Sequence, residues 1–187
     1  MSAIYIVLAI VIVSSIAVLL SYNRFVTQRQ LIDNSWSNVD SELQRRHDLI
    51  PNLVETVKGY AGHEQRTFEA VISARAQAIS MRGSAATQSP AENSLVDGMR
   101  QLLALSEAYP QLRASYHFLQ LQEELVTTEN RIQAARRFYN GNVREYNRRV
   151  DSVPSLVIAR LFRFVCEEYF EVEPVVREVP TVALDPR

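Results

Sequence analysis

His47 and His63 each stand directly before a carboxylate, Asp48 and Glu64, within the stretch RRHDLIPNLVETVKGYAGHE at residues 45–64. An imidazole beside an acid is the elementary pairing of general acid–base catalysis and of metal ligation. His63 and Glu64 also begin the H-E-x-x-H signature of zinc hydrolases, but Thr67 occupies the second histidine position, so the motif is short of a ligand. The third histidine, His117, is far away in the chain, and no carboxylate precedes any of the three by three residues in the Glu-x-x-His pattern of di-iron bundles. Cys166 is the only cysteine, which excludes an intrachain disulfide and a thiolate metal site within one chain. Lys58 is the only lysine, which leaves almost no place for a Schiff-base mechanism. There is no G-x-S-x-G elbow, phosphate loop or dinucleotide fingerprint. The chemistry that remains open is a metal- or small-molecule-binding site, at most a hydrolase, built from His47, Asp48, His63 and Glu129. Against it stands a reading with no catalytic residue, no metal and no cofactor.

The elements that must position these residues read as helices. Phe25, Ile32, Trp36, Val39, Leu43, Ile50, Leu53, Val57 and Tyr60 alternate steps of three and four, with Arg29 and Arg46 in two of the inward slots. Phe118, Leu125, Ile132, Tyr139, Tyr146 and Val153 recur every seven residues, joined by Val143 and Val150, and predict a helix of about 40 residues starting after Pro110. Two shorter helices are expected between them, over 64–81 with Phe68, Val71 and Ile72 inward, and over 92–108 with Leu95, Met99, Leu102 and Leu103 inward. GSAATQSPAENS between these two has the composition of a loop. With no strand pattern, the expected fold is all-α: an antiparallel four-helix-type bundle of long helices. A short apolar helix, SLVIARLFRF, follows Pro154, and the proline-bearing end is expected to be extended or disordered.

Polar residues inside the apolar register carry more information than the histidines. Gln122, Glu129 and Arg136 share the row that Val143 and Val150 later fill, and Arg46 takes an inward slot of the first helix. A charge inside a bundle is costly unless paired, so Glu129 is expected to meet Arg46 or Arg45 across two helices, with Asn130 and Asp48 as secondary partners. Such a layer sets helix register more often than it performs catalysis. Pro51 cannot donate to the carbonyl four residues back, so the first helix is expected to kink or restart there, with Asp48 capping freed groups. Gly59 and Gly62 weaken the turns that follow, and Glu64 suits the start of the next helix.

Residues 3–20 are an uncharged run broken only by Ser14 and Ser15, and about 18 apolar residues can span a bilayer. No basic start or small-x-small cleavage site marks it as a signal peptide. Arg24 and Arg29 follow the run, which by the positive-inside rule puts the short N-terminus outside and the soluble domain in the cytoplasm, at the cell's inner membrane. The bilayer, through residues 3–22, is therefore one partner. A formal net charge of −1 provides no basic face for nucleic acid.

Taken in order, RRHDLIPNLVETVKGYAGHE, LSEAYPQLRA, FLQLQEEL, TENRIQAARRFYN and VREYN resemble the LemA family of bacterial membrane proteins, over roughly residues 22–170. The resemblance implies a single-pass N-terminal anchor with a small outer N-terminus and a soluble four-helix-type bundle, and it brings no catalytic residues. Some relatives are tied to building bacterial membrane compartments. The likeness departs at Arg163, where a small residue is expected. The expected division is an anchor at 1–22, a LemA-like helical domain at 23–170 and a tail at 171–187. The expected role is a non-enzymatic membrane scaffold or adaptor with a protein partner.

Overall fold

The computed structural model describes residues 2–173 and 175. Six helices and no strand occur among them: α1 (Ser2–Lys58), α2 (Gln65–Ser80), α3 (Ala85–Ala108), α4 (Pro110–Arg113), α5 (Tyr116–Asp151) and α6 (Ser155–Phe162). The fold is all-α. The chain forms two compact units, one of Met1–Ser41 with Ala135–Phe170, the other of Glu42–Ala134 with Glu171–Arg187.

In the first unit, the apolar run of α1 is exposed along its length, and α1 is the one described helix long and apolar enough to cross a membrane. Beyond the run, Phe25, Ile32 and Val39 are buried, as are Tyr139, Val143, Tyr146 and Val150 of α5. Phe25 lies edge-on to Tyr146 at 6.0 Å and stacks on Phe164 at 4.7 Å; Trp36 meets Tyr139 and Phe170. Arg29, read as an inward residue, is instead exposed and 3.8 Å from Glu167. Its long side chain carries the charge to solvent more cheaply than to a core. Val153 also misses the core, at 78% exposure, because α5 has ended at Asp151 and the helical register no longer applies.

Residues 163–170 belong to no helix or strand, so their backbone groups need partners from elsewhere. Asparagines two turns apart on α5 supply them. Asn147 donates to the Glu167 carbonyl and accepts from the Glu167 amide, both at 2.8 Å. Asn140 does the same for Phe170, at 3.0 and 2.9 Å. Each side-chain amide thus offers the donor and acceptor that a neighbouring strand would. Tyr139 donates to the Glu168 carbonyl, and burial, reinforced by Glu167, Glu168 and Asp33, pushes its phenol up to about 12. Arg163, the residue after α6, has φ 58° and ψ 38°. That left-handed geometry favours glycine and costs an arginine about 1–2 kcal/mol.

The second unit packs the end of α1 with α2, α3, α4 and the start of α5. Leu43, Ile50, Leu53 and Val57 of α1, Phe68 and Val71 of α2, Leu95, Met99 and Leu102 of α3, and Phe118, Leu125 and Ile132 of α5 are buried. Gly98 lets α3 come close to α2, since a Cβ there would sit 3.3 Å from Val71 Cγ2. Three expectations need correction. Helix α3 begins at Ala85, so most of the stretch read as a loop is helical: Ser84 caps it by accepting from the Thr87 amide at 3.4 Å, and Ala85, Gln88, Glu92 and Leu95 form a buried helical row. That burial overrides the loop-like composition and the amide missing at Pro90. Helix α1 runs through Pro51 to Lys58 without restarting. Ile72 and Tyr60 face solvent, at 53% and 44% exposure.

The anticipated long helix after Pro110 is divided into α4 and α5. Of the tail from residue 171, Glu171 donates its amide to Ser89 Oγ, and Asn93 accepts the Glu173 amide and donates to the Glu171 carbonyl. Val172 and Val175 are buried. Residues 174 and 176–187 lie outside the described residues.

Asn140→Ala should leave the Phe170 amide and carbonyl without partners, at a cost of about 1–3 kcal/mol. Hydrogen exchange should show the Phe170 amide opening faster than in the parent. Unchanged protection would mean that the asparagine does not hold this segment.

A buried charge centre as the candidate functional site

Arg46 is the largest fully buried side chain described. The heptad register of α1 turns it inward between Leu43 and Ile50, and its guanidinium meets two carboxylates from other helices. Nη1 donates to Glu129 Oε1 of α5 at 2.9 Å, and Nη2 donates to Glu92 Oε2 of α3 at 2.5 Å. Glu92 has no exposed side-chain surface and Glu129 has 5%. His47, one residue along α1 and also fully buried, donates Nε2–H to Glu92 Oε1 at 2.9 Å. Both oxygens of Glu92 are therefore occupied by successive residues of α1. The His47 carbonyl accepts from Arg75 Nε of α2 at 2.7 Å, which brings a fourth helix to the same place.

The electrostatics are those of a buried ion cluster, in which Arg46 Nε, His47 Nδ1 and Glu129 Oε2 make no hydrogen bond. Burial opposes the charge on Arg46, but Glu129 and Glu92 outweigh it, and the guanidinium pKa lies above its ordinary value. Burial likewise works against ionised Glu92, yet the hydrogen bond from His47 and the charge of Arg46 hold its carboxyl below the usual carboxylate range. A carboxylate so held is a weak base. The guanidinium between the two acids also puts a fixed cation where a metal would need to sit, and no group of three or more His, Cys, Asp or Glu side chains among the described residues is placed to hold one.

The other residues singled out in the sequence lie elsewhere. Arg45 and Asn130 are exposed. Asp48 is exposed and accepts from Gln44 at 2.7 Å, while Gln44 also receives Arg82. Pro51, Gly59 and Gly62 are exposed, and no glycine takes a positive φ. Helix α1 closes with the Ala61 amide bonded to the Val57 carbonyl. Glu64 is the N-cap residue of α2 but makes no side-chain cap, and His63 is exposed beside it. His47 and Glu129 are thus buried, whereas Asp48 and His63 face solvent. Glu92 was missed because it stood at the edge of a presumed loop. The signal that finds it is its place in the row with Leu95, Met99 and Leu102 on an α3 begun at Ser84. His47 was singled out as a candidate ligand but not as a member of the charge layer, because it is one residue outside the apolar stripe. Its carboxylate partner comes from the far side.

With the geometry established, the relatives can be compared. The LemA family model matches residues 35–184. The chain is 26% identical over 198 residues to magnetosome protein MamQ 2 of Paramagnetospirillum magneticum, covering 92% of this chain and 73% of that one. MamQ of Magnetospirillum gryphiswaldense is 26% identical over 196 residues, with 89% and 72% covered. Protein LemA of Metamycoplasma hominis is 26% identical over 130 residues, 68% of this chain and 58% of that one.

Because Arg46 has two carboxylates, Glu129→Ala leaves it paired with Glu92 and should cost about 1.5–3 kcal/mol, the scale of one charged hydrogen bond. Denaturant unfolding of the full chain in micelles measures this, and a loss below about 1 kcal/mol would match an exposed pair instead. His63→Ala should leave unfolding unchanged.

The depressed carboxyl of Glu92 contributes stability that is present above its unfolded value near 4.5 and is lost as pH falls through its lower folded value. Glu92→Gln should therefore flatten the acid limb of stability against pH. An unaltered acid limb would show that Glu92 does not carry it.

Proposed function

The chain belongs to the LemA family, and we propose that it is a non-enzymatic, single-pass membrane scaffold or adaptor whose helical domain binds a protein partner. The observation that carries this reading is the burial and mutual pairing of the charge centre. Arg46, His47, Glu92 and Glu129 turn their polar groups on one another inside the packed helices, so the densest chemistry of the chain is used in holding α1, α3 and α5 in register. Pro51, Gly59 and Gly62 serve the end of α1 and the turn into α2. Arg45, Asp48 and Asn130 are exposed.

Residues 1–22 are the anchor, 23–170 the domain and 171–187 a tail. The exposed apolar run of α1 supports the anchor, since a lipid-facing surface has no other use for so much uncovered aliphatic side chain. Arg24 and Arg29 after the run favour a cytoplasmic domain and a short outer N-terminus at the inner membrane. The MamQ relatives are named as magnetosome proteins.

Crosslinking in native membranes tests the scaffold reading: the full chain should capture a defined protein, while His47→Gln and His63→Ala should retain function in cells wherever the protein level is retained. Loss of function with unchanged stability and level in either variant would indicate catalysis. For orientation, an epitope tag after Arg187 should resist protease in intact spheroplasts and be digested after lysis. Digestion in intact cells would put the domain outside.

A further inference from the structure

The apolar surface of the first unit does not stop with the spanning run. Helix α6 stands beside the last turns of that run: Ala17, Val18, Leu20, Ser21 and Arg24 of α1 face Arg149, Pro154, Ser155, Val157 and Ile158 across an open cleft of about 810 Å³. Tyr22 is fixed against Phe162 and Phe164, with ring centroids 4.9 and 5.7 Å apart, so α6 is held at that level of α1. Only one turn of α6 packs tightly, through Ala159. Val157, at the edge of the cleft, and Leu161 one turn on are 64% and 68% exposed, and Val165 beyond the helix is 70% exposed.

Basic residues rim this patch. Residues 148–166 hold four arginines, Arg148, Arg149, Arg160 and Arg163, and one acid, Asp151, with Arg148 paired at 2.7 Å to Glu145 just before them. Arg160 and Arg163 are exposed beside the apolar face, and Arg163 keeps its charge at a backbone position that favours glycine. Arg24 and Arg149 line the cleft, and the buried Nε of Arg149 makes no hydrogen bond. An apolar helical face rimmed by arginines is the pattern of a helix lying in the headgroup region of an anionic leaflet.

We infer that α6 is an interfacial foot, lying in the anionic headgroup layer of the bilayer that α1 spans, with lipid chains entering the cleft between α6 and residues 17–24. The inference rests on the anchor reading. If residues 3–20 cross the bilayer, the contact of Tyr22 with Phe162 and the cleft shared with Ala17 and Leu20 bring α6 to the membrane surface, and the exposed valines and leucine are covered by the same lipid that covers α1. The arginines then lie level with phosphate groups.

The test uses the full chain in liposomes, with Cys166 replaced by serine and a single nitroxide-labelled cysteine at position 11, 101, 157 or 161. Collision with dissolved oxygen reports lipid exposure, and collision with a water-soluble nickel chelate reports water. Labels at 11, 157 and 161 should favour oxygen, with the label at 101 favouring nickel. The labels at 157 and 161 should lie deeper in vesicles containing phosphatidylglycerol than in pure phosphatidylcholine, and Arg160→Gln with Arg163→Gln should abolish that difference. If position 11 favours oxygen while 157 and 161 favour nickel, the foot is overturned and the anchor stands. If position 11 favours nickel, the anchor is overturned and the foot with it. Equal depth in the two lipids would contradict the role of the arginines.

Discussion

One guanidinium between two carboxylates is the constraint on which the second unit depends. Arg46 comes from α1, Glu92 from α3 and Glu129 from α5, and all three are out of water. Removing such groups from water costs several kcal/mol each, and only close, well-aligned partners offset that cost. A helix that slid or turned by one residue would keep much of its apolar contact, because leucine and valine tolerate many neighbours. It would lose the ion cluster at once. The cluster therefore selects one register among several that hydrophobic burial alone would allow, and the hydrogen bond from His47 to Glu92 fixes the rotation of α1 a second time.

The same division of labour explains what was legible in the sequence. The inward position of Arg46 and the row holding Glu129 follow from periodicity, and the two side chains lie 2.9 Å apart. Periodicity also gave the buried stripe of α1 and the heptads of α5 up to the helix end. It failed where local composition and tertiary burial disagree. Gly, Ser, Thr and Pro over residues 83–94 look like a loop, yet small residues at 85 and 91 and the polar Gln88 and Glu92 pack against neighbours, and a Ser84 cap is enough to begin the helix. Glu92 was invisible for that reason. At Pro51, of the kink or restart expected, no restart occurs: one missing amide bond does not interrupt a helix whose neighbours Ile50, Leu53 and Val54 are all buried. The pairing of Asn140 and Asn147 with the backbone of residues 167–170 has no periodic signature at all.

The distribution of polar and apolar surface connects these elements to a role. Polar side chains of unusual burial face inward and pair with one another, with Arg46 Nε, His47 Nδ1 and Glu129 Oε2 left without a hydrogen bond, while large uncovered apolar surfaces lie on the first part of α1 and one face of α6. A catalyst needs the reverse, reactive polar groups open to a substrate and apolar surface closed. The arrangement found here suits a protein that is held at a membrane and keeps a fixed shape there. In the proposed role the buried cluster supplies rigidity and the exposed apolar surfaces supply attachment.

The central claim is that the charge centre is a device of packing and register. Denaturant unfolding of the full chain in micelles, comparing Arg46→Met with a variant in which Arg46 becomes Met and His47, Glu92 and Glu129 all become Leu, tests it most directly. Arg46→Met strands two buried carboxylates and should lose about 3–5 kcal/mol, whereas the fully apolar variant should recover most of that loss, because it removes the unpaired charges together with their partner. A single variant within about 1 kcal/mol of the parent would contradict the account, since that is the scale of a solvent-exposed ion pair.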